Sequence, residues 1–318
     1  MRWALIVLGF LLVVLGVAVY IFMIVISDFY AEPVHGGSGN YSSGVDFWDD
    51  SIVFSGNVSF PYGDFQFHPN MRFPRGVVTF KFYPGCNNVK ATNMRNAMRN
   101  LTMLVPGLNF MEVYENEEIE ISCDDEEIEI DEIYFVAGEG GPIDIINTSL
   151  FTIIKKGKIL LLYESSCNNN VDMHELLHVF GFKHSNNKDS IMYSINSCEQ
   201  VMTDDIVAKL SKLYSYPSDP DLYFFNVSAT KKGRYLDFDI GIKNQGLGEA
   251  RIVKLSVYSN DELVEIFPYG NLNYGAGRVV RVNNLRIPGD TTKVKFIINE
   301  DNLFEELSLS NNMVVLDF

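Results

Sequence analysis

Three histidines at 174, 178 and 184, with Glu175 and Gly181 among them, place the strictest demand on how this chain folds. The segment reads His174-Glu175-Leu176-Leu177-His178-Val179-Phe180-Gly181-Phe182-Lys183-His184, and it holds three of only five histidines in 318 residues. Residues four apart share one face of an α-helix, so a helix through 174–178 stacks two imidazoles one turn apart. Two imidazoles so placed can share one tetrahedral metal ion. Glycine enters the left-handed conformation that ends helices at little cost, so Gly181 lets the chain turn back and deliver His184 to the same ion. Glu175 is rotated off the histidine face. It is therefore not a natural ligand but can reach a water at the position the three histidines leave open.

The eleven residues fit H-E-x-x-H-x-x-G-x-x-H, the zinc-peptidase signature of the metzincins. Ser190-Ile191-Met192-Tyr193 follows His184 after a short polar stretch. In this stretch the chain resembles the matrixins, the metzincin branch of collagenase-like peptidases. Ser185 directly follows the third histidine, and Met192 falls where that branch places its Met-turn. Ser194 stands where other branches carry a metal-reaching tyrosine, so the resemblance implies no tyrosine switch. It implies one catalytic Zn²⁺ held by His174, His178 and His184, Glu175 as general base, Met192 as the floor of the site, and a protein or peptide substrate lying extended beside an edge strand near 133–138. It also raises Ca²⁺, for which no EF-hand-like spacing appears. Glu112 to Glu132 holds twelve carboxylates, but Ile119, Ile121, Ile128 and Ile130 alternate with them, as on a strand with one solvated face.

Two rival readings stand beside this one. An adhesion or binding protein could keep an inactive zinc fold, although zinc binding alone does not need Glu175. A zinc peptidase of another type would take a downstream glutamate such as Glu199 as its third ligand, which the Gly181, His184 and Met192 arrangement opposes.

Trp3 to Ile26 carries no charge and is almost wholly apolar. About 20 apolar residues span a bilayer, whereas the apolar core of a signal peptide is usually about 7–15 long. We therefore expect residues 1–27 to be an uncleaved transmembrane helix, with cleavage and secretion as the alternative. Arg2 precedes the span, Asp28 and Glu32 follow it, and the next Lys or Arg is Arg72. By the positive-inside rule the bulk of the chain is extracytoplasmic on a single-pass membrane protein. Four cysteines suit an oxidising compartment. Of three possible pairings we favour Cys86–Cys123, at the ends of successive strand-like segments, and Cys167–Cys198, flanking the histidine segment. A net charge of −16 argues against nucleic acid as a partner.

Residues 28–75 have no sustained period and read as a stalk. The segment 76–217 alternates strand and helix patterns: a strand over 77–83, a helix over 92–104, strands near 110–114, 119–123 and 133–137, a Gly-rich loop over 138–142, and a strand over 158–164. The histidine helix then begins near Asn170, and a last helix runs from a Thr203 cap to Tyr214. Its outline resembles the metzincin catalytic module, an α/β (α+β) domain with a mixed sheet and a zinc-binding helix. From 218 to 318, seven short strands separated by turns predict an all-β, Ig-like sandwich. There Ile242-Lys243-Asn244-Gln245-Gly246 and the ending from Asn299 to Asn312 resemble the CARDB family, cell-adhesion-related sandwiches of prokaryotic surface proteins. A cell-surface ligand and a plain spacer are both open for this domain.

Overall fold

The computed structural model describes residues 65–124, 128–129, 135–162 and 169–318, all within one compact unit. The expected membrane span lies outside these residues. Among the described residues, no helix is long and apolar enough to cross a membrane.

The first half is built on a mixed sheet. Its strands are β1 (Met71–Arg72), β2 (Val77–Phe82), β3 (Asn109–Glu112), β4 (Ile119–Cys123), β7 (Gly138–Asn147) and β8 (Thr152–Leu161). β3, β2, β4 and β8 lie side by side in parallel, and β1 pairs in parallel with the start of β8. β7 pairs antiparallel with β8, and among the described residues no strand lies on its outer edge. A two-strand ribbon, β5 (Ile128–Glu129) and β6 (Phe135–Val136), precedes it.

Helix α1 (Asn88–Leu104) starts earlier than the periodicity predicts, because the Asn87 side chain accepts hydrogen bonds from the Val89 and Lys90 amides, at 3.0 and 2.9 Å. Its Met94, Ala97, Met98 and Leu101 are buried at helical spacing. They join Ile119, Ile121 and Ile159 of the sheet and Leu176, Leu177 and Phe180 from the histidine segment in one core. Helix α2 (Asn170–Val179) carries the histidines, and α3 (Asp204–Tyr214) closes the domain. Thr203 precedes α3 as expected, but its side chain makes no capping bond; Asp204 and Asp205 supply negative charge to the first turn. A disulfide joins Cys86 to Cys123, as favoured above. Cys198 is also disulfide-bonded, and its expected partner Cys167 lies outside the described residues.

Two expectations are corrected. The Gly-rich run 138–142 is the first half of β7 rather than a loop. Its glycines answer to a neighbour: a Cβ on Gly140 would stand 2.2 Å from the carbonyl oxygen of Glu175. The described part of the supposed stalk is not a separate spacer either. Met71 and Phe73 are fully buried in the core of the first half.

The second half has the seven expected strands, β9 (Leu222–Lys232), β10 (Tyr235–Asn244), β11 (Ala250–Ser259), β12 (Glu262–Leu272), β13 (Gly277–Arg286), β14 (Lys293–Ile298) and β15 (Met313–Asp317). They form sheets ordered β13-β10-β9 and β12-β11-β14-β15. Alternate residues of β10, from Leu236 to Ile242, share a core with Leu255, Val257, Phe296 and Ile298 of the other sheet. The Tyr269 hydroxyl donates to the Ile240 carbonyl at 2.6 Å and ties the sheets together. A smaller apolar cluster joins the halves: Phe151 and Ile153, where β7 turns into β8, are buried with Leu247 of the sandwich.

Candidate metal centre

Residues 174 and 178 lie one turn apart on α2, and both are buried. The helix ends when the Gly181 amide donates to the His178 carbonyl at 2.8 Å and the Phe182 amide to the Leu177 carbonyl at 3.1 Å. Gly181 has φ +84°, the left-handed turn that its place in the sequence predicts. His184 then returns to the helix face. The Nε2 atoms of the three rings stand 3.0 Å (174 to 178), 3.2 Å (178 to 184) and 3.3 Å (174 to 184) apart.

Their outer nitrogens explain what that convergence means. His174 Nδ1 lies 2.6 Å from the Ile191 carbonyl and His178 Nδ1 2.7 Å from the Phe182 carbonyl. A carbonyl oxygen only accepts, so both Nδ1 atoms carry the proton, and the facing Nε2 atoms present lone pairs. Two lone pairs 3.0 Å apart repel unless a cation lies between them. A tetrahedral ion with Zn–N bonds of about 2.0–2.1 Å sets its ligand nitrogens about 3.3 Å apart, close to what is seen. Burial, then neighbouring imidazoles, holds His178 down to about 4, against the Phe182 bond. Burial likewise lowers His174. Both rings are therefore neutral at physiological pH, the form that binds metal. Among the described residues, these three histidines are the one group of His, Cys, Asp and Glu side chains able to hold a metal ion. Glu199 is outside it, on an exposed turn.

Met192 is buried in the same core as Leu176 and Leu177 of α2. The turn around it is tight: the Ser185 amide donates to the Met192 carbonyl at 2.7 Å, the Met192 amide to Ser190 Oγ at 3.2 Å, and the Tyr193 amide to the Ser190 carbonyl at 3.0 Å. Its neighbour Ile191 supplies the carbonyl that orients His174. The Met-turn thus meets the histidines through the backbone beside the methionine.

Glu175 is buried on α2 and is not part of the histidine cluster. Burial, then the carboxylates of Glu139 and Asp172, raises it to about 8. Gly138 and Gly140 of β7 lie directly on it. Gly138 ends the stretch 133–138 expected beside the substrate, whereas Glu139 and Gly140 border the site unannounced by any motif; the alternation Gly138-Glu139-Gly140 on an edge strand is the available signal.

Residues 75–215 match the matrixin family model, and residues 219–315 match the CARDB model. The chain carries a matrixin domain and, after it, a CARDB domain. It is a zinc metalloendopeptidase. Solved structures similar to part of this chain include archaemetzincin from Methanopyrus kandleri, at 9% identity over 46% of this chain and 98% of that one, with TM-score 0.32. High choriolytic enzyme 1, a hatching-enzyme zinc protease from Oryzias latipes, is similar at 11% identity over 45% and 90%, with TM-score 0.29. A CARDB domain from Pyrococcus furiosus, solved in complex with di-metal ions, is 21% identical over 31% of this chain and 86% of that one, with TM-score 0.27. No curated protein matches the chain.

Proposed function

We propose that the protein is a membrane-anchored, extracytoplasmic zinc endopeptidase in which His174, His178 and His184 hold the ion and Glu175 is the general base. The observation that carries the reading is the convergence of three Nε2 atoms, with two outer nitrogens locked on carbonyls and a buried glutamate next to His174 on the same helix. Bound zinc supplies a positive field that lowers the pKa of water toward neutrality and draws charge from a scissile carbonyl.

The rest falls to the chain. Glu175 accepts the proton of the attacking water and passes it to the leaving amine. Phe135–Val136, within the expected edge strand 133–138, pairs with β5 rather than with the main sheet, so the protein or peptide substrate lies extended where that stretch reaches the sheet edge at Gly138, adding a strand by main-chain hydrogen bonds. Trp3 to Ile26 anchors the enzyme, and the CARDB domain offers a surface for a cell-surface ligand.

Glu175→Gln tests the mechanism. Purified variant should bind one zinc ion per chain as wild type does, while cleavage of an unfolded protein falls roughly 10²–10⁴-fold. Undiminished cleavage would remove Glu175 from the reaction, and a wild type that binds zinc without cleaving would favour an inactive binding protein. Anchoring is checked separately: full-length protein should stay with the membrane after alkaline carbonate extraction.

A further inference from the structure

The matrixin match begins at residue 75, yet the turn that brings in His184 is held by residues that precede it. Gln66 is only 1% exposed. Its Nε2 donates to the Phe180 and Met71 carbonyls, both at 2.8 Å, and its Oε1 accepts from the Met71 amide at 3.1 Å. On either side, the Phe67 amide donates to the Gly181 carbonyl at 2.7 Å, and the Lys183 amide donates to the Phe65 carbonyl at 2.8 Å. Gln66 and Phe182 form an antiparallel bridge between them. Phe180, Gly181, Phe182 and Lys183, the residues between the helix end and His184, are therefore each paired with Phe65–Phe67. Met71 fills the space beside the left-handed glycine, its Sδ 2.3 Å from where a Cβ on Gly181 would sit.

The far end of the segment is fixed as well. The buried guanidinium of Arg72 donates to the carbonyls of Leu213 and of Tyr216 at the end of α3, and lies 4.5 Å over the Tyr214 ring. The carbonyl of Phe182 is also the acceptor that fixes the His178 ring. One short segment thus bears on the orientation of the second histidine and on the path to the third.

We propose that Gln66 is a positioning residue for the metal centre, and that Phe65–Phe73 belongs to the peptidase as a brace on the third-histidine turn. This rests on the reading that the histidines hold zinc. A ligand on a free turn must be ordered when the ion binds, and groups that orient ligands typically change metal affinity 10–100-fold when removed.

The test uses the full-length chain, with zinc affinity measured by competition against a chromophoric chelator and with unfolding of the metal-free protein followed in parallel. Gln66→Met keeps the side chain's length and removes its three bonds; Gln66→Glu keeps an acceptor for the Met71 amide but loses both donors. Both variants should bind zinc roughly 10–100-fold more weakly than wild type at temperatures where the metal-free variants are folded. If the variants unfold earlier yet bind zinc as tightly as wild type, Gln66 is merely structural and the proposal is overturned. A wild type that takes up no zinc overturns the metal reading itself, a result distinct from equal affinity in wild type and variants. Should Gln66→Met fail to fold, Gln66→Glu decides by the same measurement.

Discussion

A Cβ built on Gly140 would stand 2.2 Å from the carbonyl oxygen of Glu175, so the edge strand and the histidine helix touch at the residue assigned to proton transfer. The obstacle is backbone, which cannot rotate aside. Gly140→Ala should therefore push α2 away from β7, costing about 1–3 kcal/mol as overpacking does and lowering cleavage. Gly141 is the control, because nothing lies within 4 Å of its added Cβ. Denaturant midpoints and turnover of both variants check this; equal tolerance at 140 and 141 would show that the contact is loose.

That contact also shows where sequence reading reached its limit. The histidine spacing, the Gly181 turn and the offset of Met192 were legible because metal geometry and helix periodicity leave few ways to satisfy them. The seven sandwich strands were legible from alternation, as was the pairing of Cys86 with Cys123 from the strand ends beside them. Gly138–Pro142 reads as a loop because glycine usually marks turns; here it marks the close approach of a helix, a relation set by residues more than thirty positions away. Gln66 and Arg72 were hidden for a similar reason. Their partners are backbone carbonyls of Phe180 and Leu213, and a carbonyl leaves no mark on sequence.

The Cys86–Cys123 disulfide closes a separation of 37 residues that spans α1, β3 and β4. Cross-linking a loop of this length removes chain entropy from the unfolded state worth roughly 3–4 kcal/mol. The double variant Cys86→Ala, Cys123→Ala should lose about that much in denaturant unfolding. Because neither cysteine bonds to the histidines or to the turn that delivers His184, zinc affinity of the folded variant should be retained. A loss below about 1 kcal/mol would mean that the reduced chain is already compact.

In the CARDB domain, burial raises both Asp221 and Glu306, against hydrogen bonds that partly offset it. Asp221 accepts from Asn311 Nδ2 at 2.9 Å and Gln245 Nε2 at 3.0 Å, and Glu306 accepts from the Leu222 amide at 2.7 Å. A carboxyl with a raised folded pKa holds its proton longer in the folded than in the unfolded chain. Its contribution to stability therefore falls as pH rises from the unfolded value, about 4, through the folded one. Asp221→Asn abolishes that titration, and Gln245 can reverse its amide to keep the bond. Unfolding temperatures from pH 4 to 8 should show wild type losing stability relative to the variant as pH rises. A difference independent of pH would reject the assignment.

Leu247 of the CARDB domain is buried against Phe151 and Ile153 of the peptidase domain. Beside it, Thr148 Oγ1 donates to the Gln245 carbonyl at 2.9 Å, and Gly275, at φ +73°, leaves only 2.3 Å between an added Cβ and Ile146 Cγ2. The sandwich is thereby fixed to the end of the β7–β8 hairpin, whose other end lies on Glu175. Leu247→Ala should open a cavity at the junction and cost roughly 2–5 kcal/mol, the range for truncating a buried leucine. Calorimetry should show one cooperative transition in wild type. In the variant the peptidase and sandwich transitions should separate, because the cluster that couples them is lost. Turnover of a peptide substrate measures whether the coupling reaches the site. A fall in turnover below the unfolding range would show that the sandwich positions β7 against α2. Unchanged turnover with separated transitions would confine its role to holding the hairpin together.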